Sequence, residues 1–125
     1  MKKNRLINFH IRFKTAKALS EIATFLEQKL NLHFVASQDK FDIEHGGAML
    51  ADALGFNITL AFNFKDDDSR RSCQFIGVIN YQLLNDHWDE RIDLSNFMIK
   101  YFETKGIEGW YEPTTDELRK DVDLK

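Results

Sequence analysis

Apolar and polar residues alternate from Leu6 to Phe13, with Ile7, Phe9, Ile11 and Phe13 in one phase and Asn8, His10 and Arg12 in the other. A period of two marks a strand with one buried face, and this is the first predicted strand. The period then lengthens. Leu19, Ile22, Ala23, Leu26 and Leu30 recur at helical spacing, which predicts a helix from about Ala16 to Asn31 that starts at a Thr15 cap and lies on the apolar face of the strand.

Leu32 to Ala36 reads as a second strand with Leu32 and Phe34 in phase, and Phe41 to Glu44 as a short third one. After Gly46-Gly47, Ala48 to Leu54 reads as a short helix stopped by Gly55. Ile58, Leu60, Phe62 and Phe64 alternate with polar or small residues, and Cys73 to Asn80 forms a second β-rich run after KDDDSRRS. The pair predicts a hairpin with a long charged loop. Asp93 is placed to cap a helix over Leu94 to Thr104, with Phe97, Met98, Tyr101 and Phe102 as its apolar stripe and Gly106 as its stop. An aromatic tail, IEGWYEP, and a last helical turn in TTDELRK complete the chain. Each element has one apolar face to bury, so the order predicts a two-layer α+β fold, a largely antiparallel sheet with two main helices packed on one face.

Composition narrows the class. A chain of 125 residues, 43% hydrophobic with 11 Phe, is the size of a single globular domain, expected over 1–125, and can build a core without staples. One proline, six glycines and the absence of repeats or serine-rich stretches leave little room for a linker. The lone Cys73 cannot form an internal disulfide, which favours a reducing compartment. MKKNRLINFHIRFK alternates where a signal peptide would be continuously apolar, and no apolar run reaches the roughly 18 residues of a membrane span. The expectation is a cytoplasmic protein that engages no membrane.

Charge bears on the partner. Net charge is −3, but residues 1–62 carry eight basic and six acidic residues while residues 63–125 carry nine and fourteen, so the acidity is carboxyl-terminal. Such a half repels nucleic acid and attracts a basic protein.

Candidate chemistry concentrates in a few places. Asp86, His87, Asp89 and Glu90 have the residue types of a metal or acid/base site, but consecutive side chains diverge; Asp93 as cap, with Asp89 and Glu90 near the positive end of a helix, accounts for the acids without one. Trp88 among them is either a lid over the core edge or an exposed anchor. Trp110 and Tyr111, between Glu108 and Glu112, repeat that composition, and the alternative for them is a return strand covering the last helix. Asp66, Asp67 and Asp68 are a charged loop without the glycine and closing glutamate of a calcium site. His10 and Arg12 share a polar strand phase with His33 if the first two strands pair, a face that could bind an anion or form an active site. Cys73 on a strand reads as a small core residue. No Walker loop, dinucleotide-binding glycine motif, zinc spacing or RNA-binding signature is present, so no cofactor, metal or catalytic set is expected.

The segment IDLSNFMIKYFETKGIEGWYEPTTDEL resembles small bacterial immunity proteins of contact-dependent growth inhibition and polymorphic-toxin systems, in which an Asp-capped helix, a Gly-Ile turn and an aromatic-x-Pro tail recur. The likeness covers about a fifth of the chain, together with the general βαβ…ββα order. It implies a cytoplasmic antitoxin that binds and occludes one cognate toxin domain, frequently a nuclease with a basic cleft, and carries over no single position. The partner-binding residues expected on composition are Asp66, Asp67, Asp68, Asp86, Trp88, Asp89, Glu90, Trp110, Tyr111 and Glu112. The alternative is a small-ligand or enzymatic domain built on His10, Arg12 and His33.

Overall fold

The structure is a computed structural model that describes residues 5–44, 46–63, 71–79 and 90–123. Six strands and four helices follow in the order β1 (Arg5–Thr15), α1 (Leu19–Leu30), β2 (Val35–Ala36), α2 (Lys40–Glu44), β3 (Ala48–Ala53), β4 (Phe56–Phe62), β5 (Arg71–Ile79), β6 (Glu90–Asp93), α3 (Ser95–Thr104) and α4 (Thr115–Asp123). The strands form one mixed sheet ordered β2-β3-β4-β5-β1-β6. Every pair is antiparallel except β1 with β6. The fold is α+β. No helix among the described residues is long and apolar enough to cross a membrane.

The alternation in β1 acts as its period requires. Phe9 and Ile11 are fully buried in one apolar cluster with Leu60, Phe75 and Cys73 from the sheet, Ile22, Leu26 and Leu30 from α1, and Phe102 from α3. Phe9 stacks on Phe75 at 5.3 Å between centroids and tilts against Phe56 at 5.2 Å. Its ring lies over Gly77, its direct partner across the β1–β5 ladder, where any Cβ would overlap the ring carbons. Glycine is required there because the aromatic ring already occupies the space of a side chain.

Several local expectations give way. Thr15 does not cap α1: it ends β1, its Oγ1 accepts from the Lys17 N–H at 3.0 Å, and α1 starts after Ala18 with no side-chain cap. The segment before β2 is not a strand, because the Phe34 N–H donates to Glu27 Oε2 at 2.9 Å and only Val35 and Ala36 join the sheet. Phe41 to Glu44 lies in α2, not in a strand, with Asp39 Oδ1 accepting from the Asp42 N–H. The expected helix over Ala48 to Leu54 is β3. Its Ala, Met and Leu favour a helix locally, but six residues pairing with β4 bring ladder bonds and burial that outweigh propensity. Leu54 and Gly55 close that hairpin, both at positive φ as a two-residue I′-type turn demands.

At α3 the expectation is nearly met. Glu90 to Asp93 form β6, and Asp93 Oδ1 accepts from the Ser95 N–H at 2.9 Å, two residues on, with Leu94 between them at the helix start. The helix ends in a Schellman arrangement: Gly106 takes φ +75, its N–H donates to the Glu103 carbonyl, and the Ile107 N–H donates to that of Phe102.

Because the Phe9 ring leaves no room for a methyl group, Gly77→Ala is expected to destabilise the fold by about 1–3 kcal/mol, the usual cost of overpacking. Chemical denaturation reads this as a lower midpoint, and a Phe9→Leu change in the same chain should recover part of the loss.

Candidate carboxyl-terminal interface

β1 is longer than β6, so past Asn8 its outer edge needs other partners. The Leu94 N–H donates to the Asn8 carbonyl at 2.8 Å, and Ser95 Oγ accepts from the His10 N–H at 2.9 Å. Tyr111 then bridges to Arg12 through both backbone bonds, 2.8 and 2.9 Å. Directly paired strand residues share a face and successive ones alternate. This one bridge therefore puts Tyr111 on the face of Arg12 and Trp110 on the core face.

Trp110 is 8% exposed, stacks on Phe13 at 5.3 Å and meets Phe102 and Phe75 edge-on at 5.5 and 6.2 Å. Gly109, at φ +93, lies close enough to Phe13 that a Cβ would touch its ring. Of the two placements its composition left open, Trp110 takes that of a lid at the end of the core: the carbonyl and amide of its neighbour hold it against the sheet. Only its outer edge meets solvent. That edge, with Ile99, Phe102 and Ile107, walls a hollow of about 290 Å³ whose remaining sides are Glu103, Glu108 and Gly109. Both glutamates are exposed, as are Glu112 and Asp116 just beyond.

On the opposite face Tyr111 belongs to a buried polar group. Arg12 is 1% exposed; its Nε donates to His10 Nε2 at 3.2 Å, and its Nη1 lies 3.9 Å from Glu117 Oε2. Glu117 Oε2 also accepts from the Tyr111 hydroxyl at 2.9 Å, while its Oε1 accepts from the Thr114 N–H at 3.0 Å. Thr114 Oγ1 accepts in return from the Glu117 N–H, completing a capping box at the start of α4. Glu117 therefore joins the helix to the sheet. Burial alone would raise its pKa, but the Thr114 N–H, the Tyr111 hydroxyl, the Arg12 charge and the Thr114 hydroxyl outweigh it and hold the carboxyl below its ordinary value. Tyr111 is pushed up, first by burial and then by the bond and charge of Glu117.

The placement of the other expected residues is uneven. Asp66, Asp67, Asp68, Asp86, Trp88 and Asp89 lie outside the described residues. Glu90 is half-buried in β6, across from Arg5, and not on a helix turn. His33 does not join His10 and Arg12: its side chain is 86% exposed in the loop after α1, with Nδ1 3.7 Å from Glu27 Oε2. The expected shared face fails because β2 begins at Val35 and is separated from β1 by three strands. Cys73 is wholly buried, and burial pushes its thiol up to about 12 against the opposing charge of Arg71, which keeps it an unreactive thiol. No group of three or more His, Cys, Asp or Glu among the described residues could hold a metal ion. Sequence reasoning passed over Glu103. Ile99, Phe102 and Glu103 are three and four residues apart on α3, a spacing that puts an acid beside an apolar pair.

Two outcomes follow from this geometry. Trp110→Ala should cost about 3–5 kcal/mol, the range for emptying a large aromatic site, measured by denaturant unfolding. Glu117 has a folded pKa below its unfolded one, so its stabilisation is complete above the unfolded value near 4.5 and is lost as pH falls through the folded value. Glu117→Gln is expected to lower stability at neutral pH and to flatten that acid limb in thermal melts run from pH 7 to 3. Comparison with protein-family models, curated proteins and solved structures gives no match for this chain.

Proposed function

We propose that the chain is a protein-binding module of the immunity type, which neutralises a cognate toxin domain, a basic nuclease domain, by covering its active site. The observation that carries this reading is the hollow at Glu103, Glu108 and Trp110. Its apolar walls suit the methylene stem of a lysine or arginine, two exposed carboxylates at its rim suit the cationic head, and the indole edge adds a polarisable surface. Glu112 and Asp116 extend the acidic field, which would steer a basic partner toward the hollow and repel nucleic acid. In this reading the protein is not an enzyme and acts in the cytoplasm. Asp66, Asp67, Asp68, Asp86, Trp88 and Asp89 remain candidate contacts, and α1 with α3 forms one layer over the apolar sheet face. The resemblance of the closing segment to immunity proteins points the same way. A catalytic use of His10, Arg12 and His33 draws no support from their placement, since Arg12 is buried in structural bonds and His33 stands elsewhere.

Co-purification with the products of adjacent genes, followed by titration at low and high salt, tests the reading. The expected result is a one-to-one complex with a basic domain that weakens with salt. The pair Glu103→Lys and Glu108→Lys should weaken it by about tenfold or more, or about 1.4 kcal/mol, while thermal melting stays unchanged. A complex indifferent to both reversals would remove the hollow from the interface. The absence of any protein partner would remove the immunity function.

A further inference from the structure

A second and larger cleft is lined by the end of α1, the β3–β4 turn and α3. Its volume is about 660 Å³, in the middle of the roughly 300–1,000 Å³ range of small-ligand sites. Its accessible lining is the half-buried Leu32, Ala53, Phe56, Leu94 and Met98, over a base of buried Phe9, Ile58 and Phe75. Three apolar side chains stand at its mouth in contact with water: Leu54, 97% exposed, Phe97, 63% exposed, and Tyr101. Leu54 is notable in a second way, since it holds φ +51, a left-handed position that favours Gly or Asn over a side chain of this kind.

Charge around the mouth runs against that of the whole chain. In a protein of net charge −3, the described lining residues include Lys29 from α1 and Lys105 from the end of α3 and no carboxylate. Each ammonium lies along an aromatic ring of its own helix, Lys29 Nζ 5.9 Å from the Phe25 centroid and Lys105 Nζ 5.7 Å from that of Tyr101. The second contact holds Lys105 against a ring that itself lines the cleft, whereas Lys29 lines it from the last turn of α1.

We infer that this cleft binds a single-chain anionic amphiphile, a long-chain fatty carboxylate, with its hydrocarbon tail along Phe56, Leu94 and Met98 and its carboxylate between Lys29 and Lys105. Size argues against a protein helix as occupant: a helix about 10 Å across fills on the order of 400 Å³ per turn, so the cleft holds fewer than two turns. The two rim cations select an anionic head over a neutral or cationic one, and the apolar interior selects a tail over a polar metabolite. The inference is independent of the partner-binding reading, which concerns the hollow at Trp110.

The test is titration of the intact protein with palmitate, below the concentration at which it forms micelles, beside cetyl alcohol and a cetyl quaternary ammonium salt as neutral and cationic counterparts. Saturable one-to-one binding of palmitate is expected, at least about tenfold tighter than either counterpart. Lys29→Glu with Lys105→Glu should remove that preference, with the unliganded protein still folded and its thermal midpoint lowered only by the placing of acids at two helix ends. Phe97→Asp, on the exposed side of α3, should weaken palmitate and cetyl alcohol alike. Absence of palmitate binding, equal affinity for all three amphiphiles, or a preference that survives reversal of both lysines would each overturn the assignment.

Discussion

Everything at the carboxyl-terminal end depends on the unsatisfied outer edge of β1. A buried backbone group must find a partner or cost free energy comparable to a lost hydrogen bond. β5 meets that requirement along one side of β1 for eight residue pairs, but β6 covers only four on the other. Asn8, His10 and Arg12 are completed by three unlike partners: the amide of Leu94, the hydroxyl of Ser95 and the backbone of Tyr111. An irregular tail thus takes the place of a seventh strand. The alternation of sides then follows without further choice, with Trp110 turned into the core and Tyr111 toward Arg12.

Arg12 makes that end of the sheet specific. A guanidinium so deeply buried requires both hydrogen-bond partners and a counter-charge, because removing one partner from a buried ion pair is far more costly than the pair is stabilising. Glu117 supplies the charge, but it can do so only when α4 is folded, since the same carboxylate closes the capping box with Thr114. The start of α4 and the charge beside Arg12 thus share one carboxylate. The exposed acids between α3 and α4 are carried on a segment anchored at both ends, by the Schellman turn at Gly106 and by the Glu117 junction.

The two hollows described above share α3 and differ in the charges at their mouths. Near Trp110, Glu103 from α3 and Glu108 from the loop after it border a small apolar basin. Between α1 and α3 the basin is larger, and the residues brought to it are lysines.

Periodicity alone made much of the molecule legible. The alternation in β1 and β4, the 3.6-residue stripe of α1, the stop at Gly106 and the α+β class follow from side-chain spacing, since burying one face of a strand or helix imposes that spacing wherever the chain lies. The reading fails where local preference and pairing oppose each other. AMLADA has helical composition and becomes β3, because an adjacent β4 offers six ladder partners that an isolated peptide lacks. The site was less legible still. Tryptophan among acids has the same composition whether it faces a partner or the core, and for Trp110 the answer rests on a single bridge between residues 12 and 111. That His33 stands apart from His10, and that Glu117 and not a solvent ion balances Arg12, likewise follows from strand order and long-range pairing. Contacts between residues a hundred positions apart are set by the closing of the sheet, and no local pattern encodes them.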